Sequence, residues 1–324
     1  MQPLASVLMS IYNETESQIR ESVASVLSQD FKDFEFIIVL DKPERDDVET
    51  ILESFNDSRI VFDKNSRNIG LAMSMNRAAG IASSEIFIRM DADDVCLPRR
   101  FSREIDIIKT GNYDFVFTNY DNIDDNSEII KRAEIKQDMS DCIQLNKLVS
   151  LDPSIIHHPT VVFSRKIFEG VGGYRDFPCS QDSDLWMRMA EIGCRFYMIG
   201  QPFLQYRVNA NSVSNKRWFK QQLTCNYIFE LSIERLKKGK DTFSYSGYEN
   251  YLDKWKVNDS ASKDKLLDCY RLLSEASEFA RKGQIIKSLI LKAKVFMISP
   301  LMRRHFISLQ TKKRLLRKVF IMKI

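Results

Sequence analysis

In the first hundred residues the hydrophobic pattern changes period repeatedly, and that alternation limits the fold more than any other feature. Residues 5–11, 34–40, 59–62 and 85–90 are short apolar runs rich in β-branched and aromatic side chains, as buried strands are. Between them, Ile19, Val23, Val26 and Leu27 recur at helical spacing within residues 17–27, and residues 48–55 and 70–82 read as further helices. Strand and helix in turn at this spacing predict an α/β fold on a mostly parallel, doubly wound sheet. Beyond Pro98 the pattern gives a helix at 99–109, a strand at 115–118, a turn and strand at 157–165 and a helix at 184–192. Residues 121–139 are too polar to assign, and 142–156 carry no spacing that can be read. From residue 215 the chain turns predominantly helical, with long segments at 219–236 and 263–281. Two domains are therefore expected, 1–214 and 215–324.

At 44% hydrophobic and 28% charged residues, the chain has the composition of a globular protein. The net charge of +4 hides an asymmetry. From Phe279 to the end there are 13 Lys and Arg and no acid, while the preceding residues hold 35 basic against 44 acidic groups. The six cysteines form no C-x-x-C pair and no zinc-like spacing with the three histidines, which fits reduced thiols in a cytosolic protein. The expected location is cytoplasmic, since the chain opens on a strand-like segment without a leader and has no run of 18 apolar residues.

The chemistry is concentrated where the apolar run 85–90 delivers Asp91, Asp93 and Asp94 to its C-terminal end. Ligands of open α/β sheets bind outside the carboxyl ends of the strands. Three carboxylates within four residues repel one another unless a cation sits among them, and hard oxygen ligands suit Mg²⁺ or Mn²⁺ bridging to phosphates. A metal–diphosphate site is one reading; a solvated acidic turn is the other.

Eight segments in order bear on that choice. They are Ser6 to Glu14, Asp33 to Asp41, Asn68-Ile69-Gly70-Leu71, Arg89 to Asp94, His158-Pro159-Thr160, Val171-Gly172-Gly173-Tyr174, Gln181 to Trp186, and Tyr206-Arg207-Val208. Together they resemble glycosyltransferase family 2, over roughly residues 4–214. The resemblance implies a GT-A-type doubly wound mixed sheet (the nucleotide-diphospho-sugar transferase fold), with a donor half at about 1–98 and an acceptor half at about 99–214. It assigns Tyr12, Glu14, Asp41, Asn68, Arg89, Asp91 and Ala92 to the donor nucleotide and Asp93 to a divalent metal, Mn²⁺ or Mg²⁺, on the diphosphate. Asp182 matches the base that deprotonates the acceptor hydroxyl in an inverting transfer. His158, Asp184, Trp186 and Arg207 remain as possible diphosphate or acceptor contacts, although Asp184 also reads as a helix-start acid and Trp186 as core. The sequence departs from the family pattern at Leu40, where many relatives have Asp, at Gln181 in place of Glu, and at Asn209 in place of His.

The implied function is a hexosyl- or N-acetylhexosaminyl-type transferase moving sugar from a nucleotide sugar, UDP-linked first, to a growing, lipid-linked glycan in cell-surface polysaccharide assembly. A membrane-associated scaffold with a degenerate site and a sugar-nucleotide pyrophosphorylase are the alternatives. In the tail, residues 285–298 and 301–324 mix apolar and basic side chains. Phe306, Leu309, Leu315, Leu316, Val319 and Phe320 can share a face opposite Lys312, Lys313, Arg314, Arg317 and Lys318. Such a helix lies on an anionic membrane, here the cytoplasmic face of an inner membrane, or packs on the protein's own body. Nothing resembles a nucleic-acid-reading motif.

Overall fold

The computed structural model describes residues 2–208, 218–255 and 260–321. The chain divides into two compact units, Met1–Ala210 and Asn211–Ile324. In the first, β1 (Ala5–Ile11), β2 (Phe34–Leu40), β3 (Ile60–Lys64) and β4 (Ile86–Arg89) alternate with α1 (Glu16–Leu27), α2 (Asp47–Glu53) and α3 (Leu71–Ile81). There follow β5 (Val95–Cys96), α4 (Arg100–Lys109), β6 (Phe115–Ile123), β7 (Ile129–Lys131), α5 (Cys142–Leu151), β8 (Val161–Ser164), α6 (Arg165–Gly170), α7 (Gln181–Glu191) and β9 (Phe196–Arg207).

The strands form one sheet in the order β3-β2-β1-β4-β8-β6-β9-β5, with β7 on β6. β3, β2, β1 and β4 are parallel, β8 runs antiparallel between β4 and β6, and β9 is parallel to β6. Both faces are covered. Ala5, Val7, Met9 and Ile11 of β1 pack with α1, α2 and α4, while Leu8 turns to the face of α3, α5 and α7. In β2, Phe36, Ile38 and Leu40 take the first face, and Ile37 and Val39 the second. Burial on both sides explains why these strands are continuous apolar runs with no polar alternation. α1 starts at Thr15 in a reciprocal cap with Gln18, the Thr-x-x-Gln pattern of a capping box.

Successive strands β1, β2 and β3 step in one direction, and the chain then crosses back past β1 to lay down β4 on its other side. The crevice between the carboxyl ends of β1 and β4 is therefore the topological switch point, where α/β sheets bind ligands. Residues 12–14 and 91–94 lie there.

The long strand β9 was not assigned from sequence, because Gly200-Gln201-Pro202 interrupts its apolar run. The structure accommodates the interruption with register shifts against β6 at Thr118, Asn119 and Tyr120. Residues 132–140 cross over it. Lys136 N–H donates to Gly200 O at 3.1 Å, and a Cβ on Gly200 would stand 2.0 Å from Lys136 O, so only glycine fits. α5 was also unassigned; Asp141 caps it by accepting from Gln144 N–H at 3.0 Å.

The second unit comprises α8 (Trp218–Lys238), α9 (Tyr245–Asp253), α10 (Ser260–Arg281), α11 (Ile285–Ile298) and α12 (Pro300–Ile321). α12 packs on α8. Met302, His305 and Leu316 are buried, Lys312 pairs with Glu230 at 2.5 Å and donates to Asn226 O, and the Lys313 ammonium stands over the Phe229 ring. Of the two readings of the last helix, packing on the protein's own body describes Leu316, Lys312 and Lys313; the side chains of Val319 and Phe320 lie outside the described residues. No described helix is long and apolar enough to cross a membrane.

Candidate active site

The β1–β4 ladder continues to Met90, whose N–H donates to Leu8 O at 3.1 Å, and the chain then leaves the sheet. The acidic turn that follows is held largely through its backbone. Ser22 Oγ of α1 donates to Asp91 O at 2.9 Å, Arg207 Nε donates to Asp93 O at 2.8 Å, and Ala92 is buried. Asp94 is fully buried; Oδ1 accepts from Arg207 N–H at 2.8 Å, and Oδ2 has no hydrogen-bond partner among the described residues. Burial pushes the Asp93 carboxyl up to about 7, with repulsion from Asp91 and Glu14 adding to it. Asp94 is raised well above its ordinary value, first by burial and then by Asp93 and Asp91. Glu14, which accepts from Tyr12 N–H at 2.6 Å, is raised by burial and by Asp91. Four carboxylates from two strand ends therefore share one electrostatic environment.

Arg89, the last residue of β4, is the buried cation under this cluster. Its guanidinium donates to Asp91 Oδ1 and to Met90 O, and its Nε is buried without a partner. Asp182 stands in the first turn of α7, half-buried, with Ser183 N–H on Oδ1 at 2.8 Å. Burial raises its pKa, Asp91 adds to that, and Arg89 opposes it. Asp91 and Arg89, some ninety residues away in sequence, are thus near enough to Asp182 to bear on its charge. His158 is buried beside them, its Nε2 2.8 Å from the Tyr174 hydroxyl; burial and Arg89 hold its pKa well below the usual range, so the ring is neutral.

Along the strand ends toward β2, Tyr12 is exposed at the rim and Lys42 donates to Asn13 Oδ1 at 2.8 Å. Asp41 is buried. Oδ1 accepts from Asn65 Nδ2 and Ile69 N–H and Oδ2 from Gly70 N–H, all at 2.8 Å, so the side chain clamps the 68–70 loop. Asn68 closes the same turn through Gly70 N–H at 3.0 Å, and Gly70 takes the positive φ of 84° that starts α3.

Three residues singled out from sequence sit in the framework. Asp184 is fully buried against Arg188, which donates to its Oδ2 at 2.8 Å and to the carbonyls of Val171 and Gly173, so the pair pins that turn. Trp186 is core, its ring 4.8 Å from Phe115. Arg207 has its guanidinium on Glu21, Ser127, Asp93 O and Asp124 O, which commits four of its five N–H donors to the framework. Asn209 lies outside the described residues. Sequence reasoning missed an aromatic group beside the acids. His157 stacks on Tyr120 at 4.2 Å and meets Tyr206 edge-on at 4.3 Å; burial lowers its pKa to about 4, while Asp91 pulls the other way. Nothing in the sequence pointed to it, because Tyr120 and Tyr206 belong to strands whose extent was not legible.

The acid cluster fits a divalent cation by its chemistry. Its donors are hard oxygens, burial and then the neighbouring acids hold Asp93 at about 7, and Asp94 Oδ2 is buried without a partner among the described residues. Among the described residues no three ligating side chains converge on one point. A cation here would accordingly complete its shell with phosphate oxygens and water, as Mg²⁺ does.

Comparison with known proteins bears on the family and the fold. The profile of glycosyl transferase family 2 matches residues 6–172. An uncharacterized glycosyltransferase of Methanocaldococcus jannaschii is 33% identical over 228 residues, covering 69% of this chain and 78% of its own. The O-antigen biosynthesis glycosyltransferase WbnJ of Escherichia coli is 27% identical over 214 residues, covering 64% and 81%. Among solved structures, S. aureus TarS 1-349 in complex with UDP-GlcNAc superposes with a TM-score of 0.58 at 13% identity over 91% of this chain and 92% of that one, a likeness of fold. The chain belongs to glycosyl transferase family 2.

Proposed function

We propose that the enzyme transfers a sugar from a nucleoside-diphosphate sugar, UDP-linked, to a hydroxyl of a growing glycan with inversion at the anomeric carbon. The observation that carries this reading is the gathering of Asp91, Asp93 and Glu14 at the switch point, with Asp91 on buried Arg89 and Asp182 in the first turn of α7. Asp182 takes the proton of the acceptor hydroxyl as that oxygen attacks the anomeric carbon. The bond to the diphosphate breaks on the opposite side and its electron pair leaves with the nucleotide. A pKa raised by burial makes Asp182 a stronger base than a solvated aspartate. Arg89 keeps it ionised and orients Asp91 toward the ribose. Asp93 would hold a divalent cation, Mn²⁺ or Mg²⁺, which would supply Lewis-acid neutralisation of the leaving diphosphate. Asp41 builds the nucleotide wall by fixing the 68–70 loop. Three donors leave one acceptor position on its Oδ2 for a base N–H.

Similarity to a transferase named for O-antigen biosynthesis supports a glycan acceptor of the polysaccharide kind, and the TarS complex supports a UDP-sugar donor. A lipid-linked acceptor, and peripheral contact with the cytoplasmic face of an anionic membrane, fit the basic C-terminal region. Asp182→Asn tests the assignment. Its kcat is expected to fall by roughly 10²- to 10⁴-fold with UDP affinity unchanged. Undiminished turnover would remove Asp182 from the chemistry.

A further inference from the structure

In the second unit the strongest unpartnered surface is on α11. Ser288 and Val295 line its buried side. On the other side Ile286 is 76% exposed, Leu289 59%, Ile290 61% and Met297 75%, with exposed Ala293 among them. Positions 286, 289, 290, 293 and 297 follow the i, i+3, i+4, i+7, i+11 spacing of a single helix face. Exposed Lys287 and Lys294 border that stripe on one side and Lys292 on the other. The neighbouring helix differs, because the inner side of α12 is covered: Met302, His305 and Leu316 are buried and Phe306 stacks on Phe296.

We infer that the exposed stripe of α11 inserts into the headgroup region of an anionic phospholipid bilayer, with its lysines on lipid phosphates. The inference deepens the membrane contact proposed above and rests on it; it moves the inserting surface from the last helix to α11. Charge selects this occupant. No acid follows Glu278, so a second copy docking the same face would set lysines against lysines, whereas an anionic leaflet neutralises them. Length sets the mode. Fourteen residues make a helix about 21 Å long, too short for a hydrocarbon core of about 30 Å, so α11 lies in the interface plane.

The test is co-sedimentation of the full chain with vesicles of phosphatidylcholine alone and of phosphatidylcholine with phosphatidylglycerol. Two combined variants accompany it, Ile286→Ser/Leu289→Ser/Ile290→Ser/Met297→Ser and Lys287→Gln/Lys292→Gln/Lys294→Gln, with UDP binding measured on each protein as a check of the separate donor site. The wild type is expected to pellet with the anionic vesicles in a salt-sensitive way. The apolar variant is expected to lose at least about tenfold in partitioning. The lysine variant is expected to lose roughly fivefold per charge removed. UDP binding is expected to be equal in all three. A wild type that stays in the supernatant, alone or as a dimer dissolved by the apolar variant, overturns the inference together with the membrane contact. An apolar variant that pellets like the wild type overturns the α11 assignment alone. Loss of UDP binding by the wild type would count against the donor site instead.

Discussion

Asp93 illustrates how single residues here set stability against function. A carboxyl held at about 7 in the folded chain, against an ordinary 3.8, adds stability that is complete below pH 4 and is lost as pH rises through 7. Asp93→Asn removes that penalty. In metal-free buffer at pH 8 the variant is expected to be more stable than the wild type by about 1–3 kcal/mol, with little difference at pH 4, and to lose metal-dependent nucleotide binding. Urea titrations at the two pH values measure it, and an equal effect at both would refute the electrostatic account. Asp184 behaves oppositely. Asp184→Asn removes the charge of one member of a buried ion pair with Arg188 and is expected to cost about 3–5 kcal/mol, read as a lowered urea midpoint. Both aspartates stand in acidic motifs, and the sequence alone does not tell that Asp184 is buried in an ion pair. The distinction arises only in the fold, where α7 carries Asp184 into the core against Arg188 while Asp93 lies in the turn after β4.

At the scale of elements, what was legible follows from how local each signal is. β1 and β2 match the sequence reading residue for residue, because doubly covered strands leave unbroken apolar runs. β9 and α5 escaped because their continuity depends on partners distant in sequence: Lys136 beside Gly200, and the amide of Asn146 on Cys194 O at 2.8 Å. The same reason hid the His157, Tyr120 and Tyr206 group. One turn joins the donor-side helix α3 to the segment before α7. Asn76 of α3 donates to Tyr174 O and accepts from its N–H, both at 2.9 Å, and Gly173 has φ 70° with Asn76 Oδ1 only 2.7 Å from where a Cβ would be. Gly173→Ala is expected to destabilise by about 1–3 kcal/mol and to weaken kcat more than UDP affinity, since it shifts α7 and Asp182 rather than the nucleotide wall. A steady-state kcat and KM split checks this. A variant with native kcat would show that the turn does not position Asp182.

At the scale of the molecule, charge and chemistry are divided along the chain. Acids gather at the switch point of the first unit, and basic residues without acids fill the end of the second. The resemblance seen in eight short segments leads to the same family as the match over residues 6–172. It reaches no further, because sugar and acceptor are read by loops and aromatic surfaces whose identity no short motif encodes. The central claim is that the crevice between β1 and β4 binds a nucleoside diphosphate through a metal held at Asp93. Calorimetry of UDP, GDP, CDP and ADP, each with Mn²⁺ and with chelator, tests it most directly. The account predicts heat from UDP in the presence of Mn²⁺, its loss with chelator, and its loss in Asp93→Ala. A folded protein that binds no nucleotide with Mn²⁺ present, or binds UDP equally well after chelation, would contradict it.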